Sequence, residues 1–104
     1  MFNHSDIGSS ELLGAALNGE KEKVALLLKQ GADIEHANQE GDTALILAAN
    51  EGHTETVKLL LERGANITHA DRRGDTALIR AAYKGHTATV TLLLNREPKI
   101  EHLD

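Results

Sequence analysis

Residues 41–64, "GDTALILAANEGHTETVKLLLERG", return at 74–97 as "GDTALIRAAYKGHTATVTLLLNRE". No other feature of the chain constrains its fold as strongly. Gly41 falls on Gly74, His53 on His86, Val57 on Val90 and Ile67 on Ile100, always at a shift of 33 residues. An earlier, more diverged copy keeps the register. Its Leu12, Ala15, Ala16, Gly19, Val24, Leu26, Leu27, Leu28, Gly31, Ala32 and Ile34 all match the second copy. A fixed period of this length implies one supersecondary unit that stacks on copies of itself.

Each unit reads as two helices and a finger. Thr43 precedes an apolar stretch, and its hydroxyl suits an N-cap. The segment "ALILAAN" then stops at Gly52, and "TETVKLLLER" carries Val57, Leu60 and Leu61 at helical spacing before stopping at Gly64. The polar "ANITHADRRG" that follows predicts an extended finger turning at Gly74 into the next pair. Neither helix reaches the roughly 12–15 residues that a lone helix needs in water, so each unit must lean on its neighbours.

Composition narrows what such a stack does. Phe2 and Tyr83 are the only aromatics, so the core is aliphatic. With no cysteine, disulfides, thiol chemistry and cysteine-based zinc sites are excluded. A net charge of −5 argues against a general nucleic-acid binder, which needs a basic face. No apolar run approaches the roughly 18 residues of a membrane span, and the start has no secretory pattern. The expectation is a cytoplasmic protein without nucleic-acid or membrane partners.

These residues resemble those of the ankyrin-repeat family. The period and the order of turn, helix, helix and finger agree. The family's Thr-Pro-Leu-His-x-Ala signature survives partly as Thr43, Leu45 and Ala48, and again as Thr76, Leu78 and Ala81. Its proline is Ala44 and Ala77 here, and its histidine is Ile46 and Ile79. The resemblance implies an all-α ankyrin-repeat solenoid with short β-hairpin fingers, in repeats of about 8–40, 41–73 and 74–104 behind an N-terminal arm of residues 1–8. Loss of the signature histidine removes a polar contact between neighbouring units, leaving burial to hold the stack.

The two ends differ. "EKEK" at 20–23, with Ser9, Ser10 and Glu11, gives the first unit the polar outer face of a capping repeat, and Phe2 or Ile7 is placed to cover its side. The last unit keeps the internal pattern, and Asp104 aligns with Asp71. The expectation is an uncapped end, part of a longer array or a site of end-to-end self-association; Pro98, which breaks the usual finger entry, favours a short protein instead.

The last two copies differ in two stripes. Leu47, Asn50 and Glu51 become Arg80, Tyr83 and Lys84 along the first helix, and Glu55, Lys58 and Glu62 become Ala88, Thr91 and Asn95 along the second. Ankyrin resemblance implies that first helices and fingers line a concave partner-binding surface, while second helices face outward. The candidate partner-binding residues are therefore Gln39, Glu40, Asp42, Asn50 and Glu51 in one patch. Arg72, Arg73, Asp75, Arg80, Tyr83 and Lys84 form the next, with the Arg and Tyr types that dominate binding hot spots. The alternative is that Arg80 and Lys84 pair with Glu51 or Asp75 across the groove.

Six histidines do not make a metal site. His36, His69 and His102 recur at the repeat period, as do His53 and His86, and equivalent residues in stacked units lie about 8–10 Å apart. Zinc ligands must each approach the ion to about 2.0–2.1 Å, so the histidines are expected to be structural hydrogen-bonding groups. No nucleophile elbow, phosphate-binding loop or metalloprotease motif is present, which predicts no catalytic residues, no cofactor and no enzyme. Two functions remain: a module that binds another protein in its groove, an inhibitor covering an enzyme's active site included, or a structural spacer whose groove stays empty.

Overall fold

The computed structural model describes residues 8–96. Among these, six helices follow one another: α1 (Ser9–Leu17), α2 (Lys21–Lys29), α3 (Ala44–Asn50), α4 (Thr54–Glu62), α5 (Ala77–Tyr83) and α6 (Thr87–Arg96). Successive helices pair within a unit, α1 with α2, α3 with α4 and α5 with α6. First helices then stack as α1–α3–α5 and second helices as α2–α4–α6. The finger between α2 and α3 holds a single antiparallel bridge, Ala37 to Thr43. Expectations that fall on Phe2, Ile7, Pro98, His102 and Asp104 lie outside the described residues.

The repeat residues make these elements for local reasons. Thr43 and Thr76 sit in extended backbone ahead of α3 and α5, and their hydroxyls accept from the Ile46 and Ile79 amides at 3.4 and 3.3 Å. Alanines on the first helices let the two rows approach closely. Ala15, Ala16, Ala48, Ala49, Ala77 and Ala81 are all buried, together with Leu12, Leu45 and Ile46. Second helices contribute Val24 and Leu27, then Val57 and Leu60, then Leu93. The core is one continuous aliphatic layer running through the units.

Burial does not hold the stack alone, contrary to the expectation from the missing signature histidine. The bracing histidines stand elsewhere, at the entrances to α4 and α6 and in the finger between α4 and α5. His53 donates through Nε2 to the Leu17 carbonyl of the preceding unit at 2.9 Å, and His86 donates likewise to Asn50. His69 reaches the Gly41 carbonyl at 2.9 Å. Thr54 and Thr89 share a hydroxyl bond of 2.8 Å between α4 and α6. Ser9 also departs from the expected polar outer face. It is buried, and its hydroxyl accepts from the Asp33 amide at 3.0 Å, closing α1 onto its own finger.

The histidine brace depends on a glycine. Gly52 has φ +73°, and a Cβ there would lie 2.6 Å from His86 Nδ1. Gly52→Ala is therefore expected to cost about 2 kcal/mol, combining left-handed strain with a displaced hydrogen bond. Gly85 is the control: its φ is +77°, but no described atom lies within 4 Å of the added carbon. Gly85→Ala should cost only the conformational part, about 1 kcal/mol. Equal losses in urea denaturation would show that the His86 ring yields freely.

Candidate partner-binding groove

The turn at each finger tip is built by one side chain. Asn38 Oδ1 accepts from the Glu40 and Asp42 amides at 2.9 and 3.0 Å. One repeat later Asp71 Oδ1 accepts from the Arg73 and Asp75 amides, both at 2.9 Å. The two tips then lie side by side, since the Arg72 amide donates to the Glu40 carbonyl at 2.9 Å. That register carries Gln39 and Glu40 on one tip and Arg72 and Arg73 on the next, all exposed.

Behind the tips lies a cluster the sequence only half foretold. Arg80 points from α5 into the junction of the second and third units. Its Nη1 donates to Asp71 Oδ2 at 2.7 Å and to Asp42 Oδ1 at 3.2 Å, and its Nε donates to Asn50 Oδ1 at 3.0 Å. The Asp42 and Asp71 side chains are almost wholly covered. Arg80 thus pairs internally, though with Asp42 and Asp71 rather than with Glu51 or Asp75. Asp42 and Arg80 form the floor of the groove, and Asp42 is not part of an open acidic patch.

The two aspartates are held differently. Burial pushes the Asp42 pKa above the ordinary carboxylate value, and a hydrogen bond with Asp71 adds to it, against the pull of Arg80. Burial works on Asp71 too, but the Asp75 amide, Asp42, the Arg73 amide and Arg80 outweigh it and hold its pKa below the ordinary value.

Five of the remaining candidates line a depression of about 490 Å³ where the third unit meets the second, and Gln39, Glu40, Glu51 and Arg72 lie outside it. Asn50, Arg73, Asp75, Ile79, Arg80, Tyr83 and Lys84 line it. Tyr83 is 86% exposed, and Arg73 and Lys84 are exposed beside it. Among the described residues, the salt bridges are those of Arg80 alone, so Arg72, Arg73 and Lys84 face solvent uncompensated. Arg72 turns toward the preceding finger, with its Cγ near Gly41, and does not line the depression. Glu51 is tied down by the Asn50 amide at 3.0 Å.

Sequence reasoning missed Asp71 and Ile79. The signal for Asp71 was present in the internal comparison: Asn38 and Leu47 change together to Asp71 and Arg80. Ile79 matches Ile46 in type but not in environment, being 47% exposed where Ile46 is 1% exposed. The second unit has a first helix stacked on either side of α3, whereas among the described residues α5 has one on one side alone.

The family model for ankyrin repeats matches residues 12–104, in three copies. The chain belongs to the ankyrin-repeat family. Among curated proteins, no sequence match to the chain was found. Ankyrin repeats are generally protein–protein interaction modules and generally non-enzymatic. Among the described residues of this ankyrin-repeat chain, no helix is long and apolar enough to cross a membrane. Nor do three or more His, Cys, Asp or Glu side chains among them converge as metal ligands would.

Proposed function

We propose that this ankyrin-repeat chain grips a partner protein through its groove and finger tips, with the third unit as the anchor. One observation carries the proposal. Tyr83, the one aromatic residue among those described, stands 86% exposed on a depression flanked by Arg73 and Lys84, which form no salt bridge among the described residues. An aromatic held outside the core and framed by arginine is the composition of an interface hot spot. A spacer with an empty groove gives no reason for that placement. An inhibitor that covers an enzyme would use the same face.

The test needs a partner captured by the chain and two sets of substitutions. Tyr83→Ala is expected to weaken binding by about 2 kcal/mol or more, the scale of a hot spot. It should shift folding stability by no more than about 0.5 kcal/mol, as exposed substitutions do. Arg72→Glu with Arg73→Glu should chiefly slow association and change its salt dependence. Lys58→Glu and Glu62→Lys, exposed on α4, are the control and should leave binding unchanged. Equal losses from both faces in calorimetry, or none from the groove, would refute the proposal.

A further inference from the structure

The groove changes sign from one unit to the next. Arg73, Tyr83 and Lys84 of the third unit stand where the second has Glu40, Asn50 and Glu51. All four charged residues of these pairs are exposed, and none of them enters a salt bridge among the described residues. The pattern is also fixed in place. Asn50 holds the Glu51 carboxylate and is itself held by Arg80 Nε, so the acidic position of one unit is keyed to the floor of the next.

Resting on the groove as the binding face, we propose that its occupant is a bipolar segment of a partner protein. An acidic end bearing an aliphatic side chain sits on the third unit, and a basic end sits on the second. The aliphatic group belongs with the acidic end because the apolar surface does. Ile79 and Tyr83 line the depression of the third unit. A wholly acidic segment would meet Glu40 and Glu51, and a wholly basic one would meet Arg73 and Lys84; such like-charge contacts exclude wrong partners.

Spacing follows from the stack. Neighbouring first helices pack about 8–10 Å apart. An extended chain advances about 3.3 Å per residue, so acid and base should stand about three residues apart. The side chains that hold this spacing are the Arg80 and Asn50 contacts between α3 and α5.

The experiment is fluorescence anisotropy at low salt, using the whole chain and three labelled synthetic peptides. One carries two Glu around a Leu at one end and two Lys at the other. The second has the same residues with charges interleaved, and the third replaces the lysines by Glu. The bipolar peptide is expected to bind tighter than the others by on the order of tenfold, and added salt should erase the difference. Arg73→Glu with Lys84→Glu should remove the preference, and Glu40→Lys with Glu51→Lys should transfer it to the acidic peptide. Equal affinity for the interleaved or acidic peptide, or no binding of any peptide at millimolar concentration, overturns the proposal. A captured partner that still depends on Tyr83 would then leave the groove as the binding face and sink only its bipolar occupant. Indifference to Tyr83 would sink the groove itself.

Discussion

Arg80→Leu is expected to destabilise the fold by about 3 kcal/mol, toward the lower end of what removing one partner of a buried ion pair costs. The side chain is 14% exposed, and its loss strands two carboxylates that are 6% and 1% exposed. Water can reach neither fully. The chain contains its own rescue. At the junction of the first and second units, the positions of Asp42, Asp71 and Arg80 are held by Ser9, Asn38 and Leu47. Asn38 makes the same two turn hydrogen bonds as Asp71 without a charge. Arg80→Leu combined with Asp71→Asn and Asp42→Ser should therefore recover most of the loss in urea denaturation. A triple variant no better than Arg80→Leu would show that the cluster is not a self-contained set.

The two aspartates should also separate by pH. Asp42 has a raised pKa in the folded chain, so its contribution is complete below the ordinary aspartate value of about 3.9 and is lost as pH rises through the raised value. Asp71 has a lowered pKa, so its contribution is present above about 3.9 and is lost as pH falls through the lowered value. In urea denaturation, Asp42→Asn should flatten the loss of stability as pH rises above about 3.9, and Asp71→Asn the loss as pH falls below it.

Most of the architecture was legible because the repeat states it three times. Glycines, threonine caps and the leucine triplet mark helix ends and buried faces by local rules, and those rules do not depend on what lies across the groove. The groove was less legible for the same reason. Arg80, Tyr83 and Lys84 differ from their counterparts equally well whether they meet solvent or each other, and only the fold tells that Arg80 turns inward while Tyr83 turns out. Asp42 looked like a finger residue because it follows Gly41, yet it is buried and takes the Arg80 guanidinium of the next unit. The contacts that decide these cases link residues 38 and 9 positions apart, beyond the reach of periodicity.

Leu60→Ala is expected to cost about 4 kcal/mol, in the upper part of the range for buried leucine truncations. Leu27, Leu60 and Leu93 are equivalent positions of the three second helices, and all are buried. Leu60 is the middle rung, 0% exposed, on the helix that packs against both α2 and α6. The cavity left by its truncation has a repeat on either side, so neighbouring helices cannot collapse into it without disturbing both junctions. In a stack whose stability is a sum of units and nearest-neighbour interfaces, that single site weakens two interface terms. Leu27 is 7% exposed and belongs to the first unit, where only one described neighbour stacks on it. Leu27→Ala should therefore cost at least about 1 kcal/mol less. Chemical denaturation followed by circular dichroism measures both. Equal losses would mean that the units contribute independently, and a loss below about 0.5 kcal/mol at Leu60 would contradict its place in the core.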